Sequence, residues 1–71
     1  MTDTNRLKQK IEESGFKLVF IARKIGLTYQ GFLKKLNNET EFKASEIQSL
    51  CDLLHINVKD KEAIFFYCQS R

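Results

Sequence analysis

One apolar spacing occurs twice in this chain, and it constrains the fold more than any other feature of the sequence. Two sets of four residues are spaced i, i+3, i+4, i+7: Leu18, Ile21, Ala22, Ile25 and Ile47, Leu50, Cys51, Leu54. This spacing places each set along one stripe of an α-helix. Because the sequence has no proline and only three glycines, a turn-rich β fold is disfavoured. We therefore expect an all-α fold.

Capping residues divide the chain into five short helices. Asp3 or Thr4 can cap the first helix, and Thr28 can cap the third, since short polar side chains accept hydrogen bonds from free amide groups at helix starts. Gly15 and Gly26 can end the first two helices because glycine tolerates a positive φ. The predicted helices span approximately 4–14, 18–25, 29–37, 44–55 and 57–67. Together they predict a compact five-helix bundle, with Phe42 as an anchor into its core.

The length of the chain favours a single binding module. Seventy-one residues are enough for one domain, which we expect to span residues 1–71. A domain of this size buries only about 60% of the surface of its unfolded chain. Dimerisation would add buried surface, so a homodimer is one expectation.

Catalytic and metal-binding residues are scarce. Cys51, Cys68 and His55 are too few for a zinc site, and we expect Cys51 in the core and Cys68 as a terminal thiol. Apart from the adjacent Glu12 and Glu13, which fit a solvated helix face, there is no acidic dyad, and there is no nucleophile–base pair. We predict a protein that is not an enzyme and has no cofactor, metal or small-molecule substrate.

The chain shows no sign of membrane or export targeting. Met1 is followed by a polar stretch, which predicts no signal peptide. Apolar runs such as residues 18–22 are much shorter than a membrane span. We expect a cytoplasmic protein with no membrane partner.

Positive charge is concentrated in the middle of the chain. Residues 14–38 contain no Asp or Glu but five bases: Lys17, Arg23, Lys24, Lys34 and Lys35. This stretch has a charge of +5, whereas the rest, with seven bases and nine acids, has −2. Approach to a phosphate backbone requires such a cationic face. The pattern indicates nucleic-acid binding; the alternative is a solvated surface with clustering by chance.

The junction between the second and third helices has the features of a helix-turn-helix. Such a motif needs a small residue where the helices cross, a residue that tolerates a positive φ in the turn, and apolar residues that fix the angle between the helices. Ala22 and Gly26 meet the first two needs, and Ile25, Leu27 and Phe32 are among the residues that meet the third.

These residues resemble the Cro/C1-type helix-turn-helix domains of phage repressors and bacterial regulators. The resemblance covers about residues 5–66 and is strongest over 21–28 and 46–54. Residues 29–38 and 64–66 look like small proteins from phages and prophages of Gram-positive bacteria. The resemblance implies a lambda-repressor-like fold in which the third helix, about residues 28–37, enters the major groove of double-stranded DNA.

The resemblance also implies contacts to DNA. By position, base contacts are expected from Thr28, Tyr29, Gln30, Gly31 and Lys34. Gln can pair with adenine and Lys can donate to guanine, while Gly31 would let the helix approach closely. Phosphate contacts are expected from Lys17, Lys35, Asn37, Asn38 and Lys43. The alternative is that these are ordinary surface residues.

The second helix departs from the family pattern. Family members often begin this helix with a Gln or Thr that holds a phosphate, whereas this chain has Leu18. Phe20 lies roughly 150° from the apolar stripe and should point outward beside Val19. Either Phe66 and Tyr67 fold over Phe20, or a protein docks there.

Two functions follow from these patterns. The first is a Cro-like, sequence-specific transcriptional regulator that acts as a homodimer on a pseudo-palindromic operator. The second is a protein-binding module that modulates a repressor or neutralises a toxin. Its expected interface consists of Leu18, Val19, Phe20, Phe66 and Tyr67.

Overall fold

Five helices form in the predicted order and almost at the predicted positions. The structure, a computed structural model, describes residues 2–66. Its helices are α1 (Thr4–Ser14), α2 (Leu18–Lys24), α3 (Tyr29–Leu36), α4 (Ala44–Leu54) and α5 (Val58–Phe65). No strand occurs among the described residues, which confirms the all-α prediction. The predicted end of the last helix at Tyr67, and Cys68, lie outside them.

Side-chain caps fix the starts of three helices. The carboxylate of Asp3 accepts a hydrogen bond from the Arg6 amide at 3.3 Å, so Asp3 rather than Thr4 caps α1. The hydroxyl oxygen of Thr28 accepts from the Gly31 amide at 3.0 Å, as predicted for α3. The Asn57 side chain accepts from the Asp60 amide at 2.7 Å and starts α5. Each cap satisfies an amide that the helix itself leaves without a partner.

Left-handed residues lie at or just after the ends of the first four helices: Gly15, Gly26, Asn38 and His55. Gly15 has φ 78° and Gly26 has φ 82°, the region that glycine adopts without a steric penalty. His55, which ends α4, adopts φ 56° although it has a side chain. The chain can therefore reverse direction immediately after these helices.

Every helix contributes a fully buried side chain to a single core. The five largest fully buried side chains come one from each helix: Leu7, Ile21, Phe32, Leu50 and Ile64. Phe42, between α3 and α4, lies edge-on to Phe32 and Phe65, with ring centroids 6.3 and 5.6 Å apart. This confirms its predicted role as an anchor, and Cys51 is buried in the same core as expected.

Polar contacts join the first helix to the last. The Asp3 amide donates to the Ile64 carbonyl at 2.7 Å, and the Lys10 ammonium lies 2.9 Å from the Asp60 carboxylate. The hydrogen bond and the negative charge of Asp60 raise the pKa of Lys10 above its ordinary value. These contacts hold α5 against α1, on residues distinct from those predicted to face DNA.

Candidate nucleic-acid interface

The α2–α3 junction has the close packing that a helix-turn-helix requires. Ala22 is buried, and its carbonyl accepts a hydrogen bond from the Leu27 amide at 2.9 Å. Gly26 provides the positive φ in the turn, while Ile25 and Phe32 are buried on either side of it. A larger residue than alanine at position 22 would have to displace neighbours in a filled core. The junction therefore fixes the direction in which α3 points.

The outward face of α3 is polar and open to solvent. Gln30, Lys34 and Asn37 are exposed and spaced i, i+4, i+7, so they form one stripe. On the opposite side, Phe32 and Leu36 are buried in the core. The stripe contains an amide that can both donate and accept hydrogen bonds and an ammonium that can donate. Its chemistry suits the edges of bases in a major groove.

Tyr29 lies at the edge of this face. Tyr29 precedes the apolar residues Phe32 and Leu33 by three and four positions, a spacing that places all three on one face of a helix. Even so, Tyr29 is 44% exposed. The reason is its place in the first turn of α3, beside the start of α2, where it shares a depression with Lys17 and Val19. The ring is accessible from outside the protein, as a residue that contacts DNA has to be.

Thr28 and Gly31 form a structural pair at the start of α3. A methyl group at position 31 would lie 3.0 Å from the hydroxyl oxygen of Thr28, the same atom that caps the helix. Gly31 therefore leaves room for the hydroxyl group of Thr28 that caps the helix.

The side chain of Lys35 is largely shielded from solvent, whereas its neighbour Lys34 is exposed. The Lys35 ammonium is 2.8 Å from the carboxylate of Glu46, and the two side chains are only 11% and 10% exposed. It also donates to the Glu41 carbonyl at 2.9 Å and lies 5.9 Å from the centre of the Phe42 ring. Because these partners engage the ammonium, Lys35 is less available than Lys34 for the phosphate contact expected of it.

Glu46 holds the other end of this contact. Its carboxylate also accepts a hydrogen bond from the Lys43 amide at 2.9 Å, which helps to start α4. Burial alone would raise the pKa of Glu46, but the hydrogen bonds from Lys35 and the Lys43 amide outweigh it and lower the pKa. One signal of this contact is present in the sequence, a glutamate three residues after the N-cap residue Lys43.

The other residues predicted to contact phosphate differ in whether their side chains already have a hydrogen-bond partner in the protein. Lys17 and Lys43 are exposed and immediately precede α2 and α4, respectively. Asn37 is exposed and immediately follows α3. Asn38 has φ 62° and donates through its side-chain amide to the Thr2 carbonyl at 3.1 Å. Asn38 therefore has a structural role, and its amide group is partly committed to it.

The cations on the surface of α2 and α3 have no acidic partner among residues 2–66. The ion pairs in this part of the chain are Arg6–Asp3, Lys10–Asp60 and Lys35–Glu46. Four exposed bases of the stretch 14–38 are outside these pairs: Lys17, Arg23, Lys24 and Lys34. The positive surface expected from the sequence is present, with Lys35 removed from it.

Apolar side chains interrupt this positive surface on α2. Val19 is 50% exposed, and Phe20 is 37% exposed and packs on Phe16 with ring centroids 5.1 Å apart. The ammonium of Lys24 lies 5.5 Å from the centre of the Phe20 ring. Phe16 thus covers part of the Phe20 ring. The i, i+4 spacing of the two residues is the feature of the sequence that could have predicted this contact.

The remaining residues of the expected protein interface separate into different environments. Leu18 is half-buried and packs against the core, and it also lines the depression that Lys17, Val19 and Tyr29 share. Phe66 is 57% exposed, whereas Phe65 is buried. Phe66 and Tyr67 were expected to fold over Phe20, but the ring that packs on Phe20 is that of Phe16. Tyr67 lies outside the described residues.

Two further features concern the classes of site considered above. Among the described residues, no helix has both the length and the apolar character needed to cross a membrane. In the same part of the chain, no three His, Cys, Asp or Glu side chains come close enough together to hold a metal ion.

Comparison with known proteins agrees with the geometry of the α2–α3 unit. The Cro/C1-type helix-turn-helix DNA-binding domain matches residues 6–60, which include α1 to α4 almost completely and the start of α5. A search of curated proteins found no significant match. The match covers well over half of the chain. Together with the buried Ala22, the Gly26 turn and the open polar face of α3, it shows that the chain belongs to the family of Cro/C1-type helix-turn-helix DNA-binding domains.

Proposed function

We propose that this protein is a sequence-specific transcriptional regulator of phage or prophage type, similar to Cro, which reads double-stranded DNA with α3. The observation that supports this most is the exposed stripe of Gln30 and Lys34 on a helix whose other face is fixed in the core. A rigid polar helix within a stretch that has no acidic residue, 14–38, can enter a major groove with little charge repulsion from its own side chains.

Each side chain has a distinct role in this proposal. Gln30 pairs with the N6 and N7 atoms of an adenine, and Lys34 donates to the O6 and N7 atoms of a guanine. Thr28 and Tyr29, at the start of α3, contact base edges or the adjacent phosphates. Phosphates are held by Lys17, Asn37 and Lys43, which position the protein without reading sequence. Two chains bind as a homodimer to the two halves of a pseudo-palindromic operator.

The proposal is tested by titrating the protein with a labelled duplex from its own promoter region. Binding should weaken steeply as salt increases, and Gln30→Ala should weaken binding and relax the preference for one base pair. Gln9→Ala is a matched control, since Gln9 is exposed on α1. The proposal fails if no duplex binds at low salt, or if Gln9→Ala and Gln30→Ala weaken binding equally.

A second candidate function rests on the apolar surface of α2. Val19 and Phe20 are exposed next to Leu18, the position at which family members often present a polar side chain to phosphate, so the same fold can bind a protein. In this function the chain modulates a repressor or acts as an antitoxin. Phe20→Glu should abolish a complex with the protein encoded next to it while the helical spectrum is unchanged; an unaffected complex would exclude this function.

A further inference from the structure

Most of the exposed large hydrophobic side chains lie in one place. Six occur among residues 2–66, and four of them lie at the starts of α2 and α3: Phe16, Val19, Phe20 and Tyr29. We call these four the α2 patch. Phe16, Val19 and Tyr29 line one shallow depression of about 570 Å³, and Phe20 is joined to it through its contact with Phe16. A clustered apolar surface of this kind is typical of a binding site.

The rim of the α2 patch is positively charged. Lys17 lines the depression itself, and the ammonium of Lys24 lies 5.5 Å from the Phe20 ring. Arg23 is exposed one helical turn after Val19. No acidic residue occurs in the chain between positions 13 and 39, and none pairs with these three bases among the described residues. A partner that covers the patch therefore has to bring negative charge of its own.

We propose that the α2 patch binds an acidic amphipathic helix of a partner protein, and that this binding excludes double-stranded DNA. Apolar side chains of the partner would contact Val19 and Phe20, while its carboxylates would pair with Lys17 and Lys24. The exclusion rests on the proposed function, because Lys17 and Tyr29 belong both to the patch and to the predicted DNA contacts. Occupying them with an acidic helix removes them from the duplex.

Two other occupants fit the patch less well. A second copy of the chain would form a two-fold interface, which would bring Lys17 and Lys24 close to the same residues of the partner copy. Like charges at such an interface are unfavourable. A single nucleic-acid strand would need open ring faces for its bases. Here Phe16 and Phe20 pack on each other and Lys24 lies over the Phe20 ring, while Val19 has no ring to offer.

The test uses a synthetic helical peptide with leucines at i, i+3, i+4 and i+7 and glutamates at the remaining positions. Added to the full chain labelled with ¹⁵N, it should shift the backbone amide resonances of residues 16–20 and Tyr29. One analogue replaces the glutamates by lysines, and a second replaces the leucines by serines. Neither analogue should bind comparably, because the proposal requires both negative charge and an apolar stripe.

A pair of matched variants locates the binding site. Phe20→Ser should weaken binding of the glutamate–leucine peptide about tenfold, the loss typical of an aromatic anchor. Val58→Ser should leave the affinity unchanged, since Val58 is 72% exposed but lies on α5. Circular dichroism confirms that both variants are folded. Equal effects of the two substitutions would contradict the proposal.

Competition with DNA separates this proposal from the proposed function. The glutamate–leucine peptide should displace a promoter duplex from the wild-type chain, whereas its analogue with serines in place of the leucines should not. If the peptide binds and no duplex does, the patch is supported and the proposed function fails. The proposal is overturned if peptide and duplex bind together, or if either peptide analogue binds equally well. It is also overturned if an oligothymidine shifts the same resonances and binds with higher affinity than the peptide. A shift of these resonances with protein concentration, in the absence of peptide, would overturn it as well, because it would indicate that two copies of the chain associate through the patch.

Discussion

Two adjacent lysines should respond to substitution in opposite ways. Lys34 is exposed on the outward face of α3, whereas the ammonium of Lys35 is enclosed by Glu46, the Glu41 carbonyl and the Phe42 ring. Lys34→Ala should therefore weaken DNA binding with little change in stability. Lys35→Met, which keeps most of the aliphatic chain, should lower stability and leave the electrostatic part of DNA binding unchanged.

The structure sets the size of both effects. Lys35→Met removes a 2.8 Å ion pair whose side chains are about nine-tenths shielded, and it leaves the Glu46 carboxylate with the Lys43 amide alone. The pair lies between a surface and a buried salt bridge, so we expect a loss of about 2–3 kcal/mol in the free energy of unfolding. For a domain of this size each kcal/mol lowers the melting temperature by about 4–8 °C. Lys34→Ala should cost about 1–3 kcal/mol of binding to its operator.

Two measurements on each variant are sufficient. Thermal unfolding gives the stability, and fluorescence anisotropy of a labelled operator duplex at several salt concentrations gives the affinity and its salt slope. Binding should weaken for Lys34→Ala, whereas the affinity and the salt slope should both stay unchanged for Lys35→Met, at a temperature where both are folded. The double variant Lys35→Met/Glu46→Leu should recover much of the lost stability, because it removes the unpaired carboxylate.

A specific result would refute this reasoning. If Lys35→Met lowers the salt slope by about 1 while its melting temperature is unchanged, Lys35 contacts phosphate and the ion pair with Glu46 does not persist in solution. Failure of the double variant to regain stability would show that the loss comes from packing against Phe42 rather than from an unpaired charge.

Three further predictions concern stability. Because the folded-state pKa of Glu46 is lowered from 4.5, its contribution is present above that value and is lost as the pH falls through the lower, folded-state pKa; Glu46→Gln should flatten this acid-dependent part of denaturant titrations. Gly26→Ala should destabilise the protein by about 1–2 kcal/mol through backbone strain alone, since φ is 82° and no atom lies within 4 Å of the added methyl group; an unchanged urea midpoint would contradict this. Thr28→Ala should cost about 1 kcal/mol by removing the cap of α3, and Thr28→Ser should restore most of it in the same titration.

The local features of the fold could be predicted from the sequence because they depend on neighbours in the chain. The cap at Thr28, the turn at Gly26 and the apolar stripe of α4 each arise within a few residues. The i, i+4 spacing of Gln30 and Lys34 likewise places both side chains on one face of α3. These are the parts of the candidate site that short-range rules determine.

Contacts across the molecule could not be predicted in the same way. Lys34 and Lys35 are adjacent residues of the same type. Lys35 is enclosed because its ammonium pairs with Glu46 of the next helix, whereas Lys34 is exposed. Phe20 was correctly placed on the outside of α2, but its cover by Phe16 depends on the path of the turn after Gly15. Such pairings require the three-dimensional arrangement.

The core also determines how the DNA-reading part of this protein can be engineered. Ile21 and Phe32, the inner residues of α2 and α3, share one interior with side chains from the other three helices, each of which contributes a fully buried residue. A transplanted α2–α3 segment would expose both to water and lose the angle between its helices. New operator preferences are therefore better sought by replacing Gln30 and Lys34 within the intact chain, where their substitution leaves the shared interior untouched.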